Sequence, residues 1–117
     1  MSTIIFTLYS VFMQKYRIPL VNIDNQIVTT QVANYSVRVL AWRQPESNDW
    51  YCSIESPPNT KLVSGRRMTI NENLLVRNAR NQLNGNFAVE SLSIATDDPS
   101  GTQPWGNTHD LFFKTDD

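Results

Sequence analysis

Two side chains in this sequence could take part in proton or electron-pair chemistry near neutral pH: His109, the single histidine, and Cys52, the single cysteine. One histidine cannot build a multi-histidine metal site. It stands where a loop runs into an apolar segment, which suits a surface or packing role better than a general base. Cys52 lies in the run Trp50, Cys52, Ile54, alternating with Tyr51, Ser53 and Glu55. That period puts the thiol on the inward face of a strand, as a structural group. A lone cysteine excludes an intrachain disulfide and a cysteine metal cluster, and its usage suits a reducing compartment. Asp97-Asp98 and Asp116-Asp117 are paired only by adjacency, and neighbouring residues point apart, so both read as structural or solvated rather than as a calcium site. Ser64-Gly65 lacks the surroundings of a nucleophile elbow, and Gly85, Gly101 and Gly106 are isolated, so no phosphate loop is present. The residues therefore predict no catalytic group, metal or cofactor, and a protein that is not an enzyme.

Arg66-Arg67, with Arg77 and Arg80, is the one basic cluster. The net charge is −1, and no aromatics interleave with these arginines, so no nucleic-acid binding is expected. Ordinary surface charge, or pairing with acids on a neighbouring subunit, is the reading, and it makes Arg66 and Arg67 interface candidates. Trp105 sits in the Gly/Pro-containing loop 97–107. It either pins that loop to the core or stands exposed, where it could stack on a sugar or anchor an interface. Trp42 carries the same two readings.

The elements that hold these residues are organised around residues 48–75. Trp50 is a buried, structural residue on one strand. Pro57-Pro58 forces the chain out of the sheet, and the return strand begins at Leu62-Val63. Gly65 lies inside that return strand as a structural residue, marking a bulge or a close backbone approach. Before this hairpin, residues 16–20 carry Pro19 and read as an edge strand or entry segment. A turn falls at Asp24-Asn25 and a strand covers 26–32. A second turn at Ala33-Asn34 leads to a strand from Tyr35, with Val37, Val39 and Ala41 on one face and Ser36, Arg38, Leu40 and Trp42 on the other. After the hairpin, Asn71-Glu72-Asn73 is a turn and residues 74–83 could form a short helix, which their Asn content disfavours. Asn84-Gly85 turns into a strand at 86–95, with an apolar phase shift near Glu90-Ser91 that predicts a bulge. Gly106 closes the loop before a last strand over 108–115. The fold class is thus all-β: a small sandwich or barrel of about six to eight short strands.

The first segment stands apart. Residues 1–15 form an apolar N-terminal arm containing Ile4, Ile5, Phe6, Leu8, Val11 and Phe12. It lacks the basic start and the cleavage site of a signal peptide, and it is too short and too interrupted to span a bilayer. Its β-branched and aromatic content favours a strand. Both of its faces are apolar, so a neighbouring subunit could cover one of them, and these six residues join the interface candidates. The remainder, residues 16–117, is one β domain. With 117 residues in all, the chain can bury about two-thirds of its extended surface. Its charged fraction of 18% falls below the usual ~25%, the difference being made up by Asn, Gln, Ser and Thr, as in β-rich chains that contact other chains.

Taken in order, these motifs resemble the small baseplate plug proteins of contractile-tailed bacteriophages, typified by a cyanophage baseplate plug. The resemblance rests on Ile18-Pro19-Leu20 followed by Asn25-Gln26, the Tyr35-to-Val39 strand, and the Trp50-to-Ile54 strand. It continues through Leu62, Val63, Gly65 and Met68, then Asn73-Leu74-Leu75, and closes with Pro99, Gly106, Leu111 and Phe112. It covers about residues 16–115. The segment before Tyr16 is longer than the family pattern requires: either Met13 is the start, or the preceding residues are an added arm. The resemblance implies no catalytic residues. It implies a structural, homo-oligomeric (three- or six-fold) component of the virion tail baseplate, made in the host cytoplasm. Its partners would be other baseplate and tail-tube proteins at the junction of tube, hub and spike, with no membrane involved. The alternative is a β-sandwich binding module for carbohydrate or a host surface, with Trp105 and Trp42 as platforms.

Overall fold

The computed structural model describes residues 14–56, 60–75, 82–92 and 96–116. The apolar arm, with Ile4, Ile5, Phe6, Leu8, Val11 and Phe12, lies outside them, as do Arg77, Arg80 and most of the segment considered for a short helix. Seven strands follow in order: β1 (Lys15–Ile18), β2 (Asn25–Val32), β3 (Tyr35–Arg43), β4 (Trp50–Ser56), β5 (Thr60–Arg67), β6 (Gly85–Ser91) and β7 (His109–Thr115). They form two antiparallel sheets, one in the order β1-β7-β6 and the other β2-β3-β4-β5. The fold is all-β, as expected. Among the described residues no helix is long and apolar enough to cross a membrane.

Alternation decides which residues meet between the sheets. Val37, Val39 and Ala41 of β3 and Trp50, Cys52 and Ile54 of β4 are fully buried from one side. Ile18, Phe87, Val89, Leu111 and Phe113 are buried from the other, and together they form one cluster. Trp50 sits within it, its indole meeting Trp105 edge-on at 5.5 Å between ring centres. The Trp50 Nε1–H donates to the Gly101 carbonyl at 2.8 Å. Asn22 holds the same loop from β1's side, donating to the Trp105 carbonyl and accepting from its N–H. Of the two readings of Trp105, the structure realises the plug: the side chain is buried.

Gly65 answers to a bulge. The pairs Cys52↔Arg66 and Ile54↔Val63 leave an extra residue on β5. Gly65 takes a φ of 59° there with open space around its Cα, so no close approach is involved. The left-handed conformation is what demands glycine. The bulge expected near Glu90-Ser91 is absent. β6 pairs with β7 in unbroken register to Ser91↔His109, and the apolar Leu92 simply falls on the outer face, where it is exposed. The phase shift in the sequence was a solvent-facing leucine.

Candidate interface

The outer faces of the two sheets differ in kind. On the β1-β7-β6 sheet, Lys15, Arg17, Phe112, Lys114, Glu90 and Asp110 point outward by alternation from the buried positions. They pair with one another: Glu90 lies between Lys15, at 2.6 Å, and Lys114, and Arg17 meets Asp110 at 3.2 Å. Lys15 also lies 4.2 Å over the Phe112 ring. Burial pushes the Glu90 carboxyl up, but hydrogen bonds from Lys114 and Lys15 outweigh it and hold the group below its ordinary value. The charges on this face are answered within the chain.

The outer face of the other sheet carries a charge pair, Arg38 of β3 with Glu55 of β4 at 3.2 Å, and beside it an apolar patch toward the start of β2. Asn25 stands opposite Trp42 and Ile27 opposite Leu40. Trp42 stacks on Tyr51 at 6.2 Å with 16° between the rings. Ile27 is 65% exposed. Together Asn25, Ile27, Leu40 and Trp42 line a shallow groove. The loop before β2 carries two further exposed apolar residues, Val21 and Ile23. The Gln26 amide fixes that loop, donating to the carbonyls of Val21 and Ile23 and accepting from the Val21 N–H. Arg43 locks the corner with a two-pronged grip on Asp24 at 2.9 and 2.8 Å. Those hydrogen bonds hold the Asp24 carboxyl below its ordinary value. The polar side chains here thus brace the backbone and leave the apolar ones to solvent.

The backbone of β2 adds to this. Arg43 N–H donates to the Asp24 carbonyl, which makes 24↔43 a hydrogen-bonded pair. By antiparallel alternation, 26↔41, 28↔39 and 30↔37 are bonded too. The N–H and C=O groups of Asn25, Ile27, Thr29 and Gln31 therefore face away from β3, along the free edge of the sheet.

The other residues singled out from the sequence sit elsewhere. Trp105 is in the core, which removes it from the interface candidates and from the list of sugar platforms. Arg66 donates to the Leu74 carbonyl at 3.0 Å, and Arg67 meets Asp98 and Asp49 at 3.4 and 3.5 Å. Their partners are thus in their own chain. Gly106 lies in the turn before β7, its N–H directed at Asp110 and the His109 carbonyl. His109 is buried. Its Nε2 is 2.7 Å from the Asp97 carbonyl, an acceptor only, so Nε2 donates there, and Nδ1 lies 2.8 Å from the Thr108 hydroxyl. Burial pushes the Cys52 thiol up to about 12, so it stays protonated. No group of three or more potential metal ligands occurs among the described residues.

Sequence reasoning placed Leu40 and Trp42 on one face but missed Val21, Ile23 and Ile27. The available signal was the strand period, which puts the adjacent Ile27 and Val28 on opposite faces, so that one of the two must face outward.

The geometry defines a small two-sheet β domain with one face covered by self-paired charges and another whose apolar patch runs out to an open strand edge. Over residues 15–116 the chain matches the family described as Cyanophage baseplate Pam3 plug gp18, and it belongs to that family. No curated protein matches it. The match starts at the first residue of β1 and takes in all seven strands.

Proposed function

We propose that this chain is a structural protein of a phage tail baseplate, a plug or ring component that joins tail tube, hub and spike through subunit interfaces. The observation that carries the reading is the apolar patch around Ile27, Leu40 and Trp42 on the outer face beside the free edge, on a chain of a baseplate plug family. An apolar face beside an unpaired edge is a liability for a free monomer and an asset in an assembly. On this reading the chain is a homo-oligomer of three- or six-fold symmetry, made in the host cytoplasm and incorporated with other baseplate and tube proteins. The carbohydrate-module reading has lost its main platform, since Trp105 is buried.

The test is to dissociate virions of the phage that encodes the chain and to separate tubes with sheaths from baseplates. Mass spectrometry should find the chain in the baseplate fraction at a copy number divisible by three. Its absence from the virion would overturn the proposal.

A further inference from the structure

We infer that the free edge of β2 accepts an added strand, and that the strand is the apolar arm, residues 1–13, of a neighbouring copy. The inference rests on the homo-oligomer reading above and names the contact that would make the oligomer.

Four strands border the sheets, and three of them are protected. β5 is bulged at Gly65 and has a second register shift beside it. The edge of β6 is covered by residues 70–75, through Asn71 N–H to the Val89 carbonyl and Leu74 N–H to the Phe87 carbonyl. β1 is four residues long, carries Lys15 and Arg17, and is followed by Pro19. β2 has none of these devices. It is eight residues long, in unbroken register with β3, and has no charge, proline or glycine. Natural proteins rarely leave such an edge unpaired.

The arm fits that edge in composition and length. Residues 1–13 carry no charged side chain and are rich in β-branched and aromatic types. Fully extended they reach about 45 Å, against about 27 Å for the eight residues of β2. A strand added to β2 would lie beside exposed Ile27, among Asn25, Thr29 and Gln31, on one face, and beside half-buried Val28, at the flank of the core, on the other. An apolar side chain of the arm thus has an apolar neighbour on either face.

The point where the arm joins the domain selects a neighbour. Gln14 is tied to Thr115, its N–H to the hydroxyl and its carbonyl to the Thr115 N–H. Asn84 accepts from Asp116 N–H and donates to the Tyr35 hydroxyl, so Gln14 lies at the end of the sandwich where β2 finishes. A chain's own arm could reach its β2 only by reversing at once and pairing in parallel. An arm from a second copy is free to pair antiparallel, the stronger arrangement. Passing an arm from each copy to the next is a heterologous contact, which forms a ring where the rotation between copies closes.

Native mass spectrometry tests this on three chains: the full chain, a version starting at Met13, and Thr29→Pro. The Thr29 N–H faces the free edge, so proline there blocks an incoming strand while sparing the ladder to β3. Ile27→Lys serves as a second edge-blocking variant, because the side chain is already exposed and folding is little affected. The full chain should form a closed oligomer, and each altered chain alone should be monomeric. Mixing the Met13-start chain with either edge-blocked chain should restore a one-to-one dimer and nothing larger, since one supplies only an edge and the other only an arm. A Met13-start chain that still forms the full oligomer would overturn the arm exchange and leave the homo-oligomer standing. Persistent monomers in the mixture would also overturn the exchange. A monomeric full chain would overturn both, leaving the baseplate location to the virion fractionation.

Discussion

Trp50 and Trp105 meet edge to face at 5.5 Å, yet the two indoles stand on different terms with their surroundings. The Trp50 N–H has the Gly101 carbonyl. The Trp105 N–H is buried without a hydrogen-bond partner among the described residues. Trp50→Phe would remove the donor from a half-buried acceptor, whereas Trp105→Phe would remove a donor that already lacks a partner among the described residues. Trp50→Phe should therefore be the more destabilising by about 1 kcal/mol in urea unfolding. Truncating Trp105 to alanine would empty a core site and should cost about 3–5 kcal/mol. Equal losses for the two phenylalanine variants would mean that the indole N–H groups do not matter. Gly85 shows a different constraint. A Cβ there would lie 2.4 Å from the Lys114 carbonyl oxygen and 2.6 Å from the Phe113 ring. Backbone cannot yield as a side-chain tip can, so Gly85→Ala should lower stability by at least about 2 kcal/mol. Alternation made Trp50 legible in the sequence as a core residue. Trp105 was left open between plug and platform, because a tryptophan in a loop carries no period. Gly85 was read as part of a turn, since the ring that forbids its side chain comes from a strand far along the chain.

At the scale of elements, strands could be read and their edges could not. The alternation at β3 and β4 and the turns between the first four strands follow local rules, and the structure agrees with them. What covers β6 is non-local. Residues 71–73 read as a turn and 74 onward as a conceivable helix, yet residues 70–75 lie along β6 as a cover. Asn86 makes the clasp: its amide oxygen accepts from Leu75 N–H at 2.7 Å, and its amide nitrogen donates to the Leu75 carbonyl at 3.0 Å. It is a buried polar side chain fully occupied in imitating a strand. Asn86→Ala would leave both Leu75 groups without those partners. The expected cost is about 1–3 kcal/mol, with faster hydrogen exchange at Leu74 and Leu75 and little change across β3 and β4. An equal acceleration in both sheets would show that the clasp serves global stability rather than this edge. The open edge of β2 was equally hidden, because strand order is not set by residues near it in sequence. The side of Ile27 was within reach: a two-residue turn at Ala33-Asn34 sets Val32↔Tyr35 and with it Ile27↔Leu40.

The whole molecule divides its charge unevenly, and acid should reveal the division. Glu90 sits between Lys15 and Lys114 on the ion-paired face, and Asp24 sits in the grip of Arg43 at the corner of the other sheet. Both carboxyls are held below their ordinary values in the folded chain, which for Glu90 is 4.5. A carboxylate whose pKa falls on folding binds protons more readily when unfolded. Its contribution to stability is complete above the unfolded value and is lost as pH falls through the folded one. Wild-type melting temperature should therefore hold from neutrality down to about pH 5 and drop below it. Glu90→Gln lacks that contribution at every pH. It should melt below wild type near neutrality and converge on it as acid protonates the wild-type carboxyl. An offset that persists unchanged in acid would assign the loss to packing instead of charge. The arm and the β2 edge contain no titratable side chain except Tyr9, whose ordinary pKa near ~10 is far from this range. Assembly through them should keep its stoichiometry over the same interval until the fold itself gives way. Melting curves and native masses recorded on the same acid series would separate the two. Dissociation well before unfolding would place an ionisable contact in the interface, which the arm and the β2 edge by themselves do not supply.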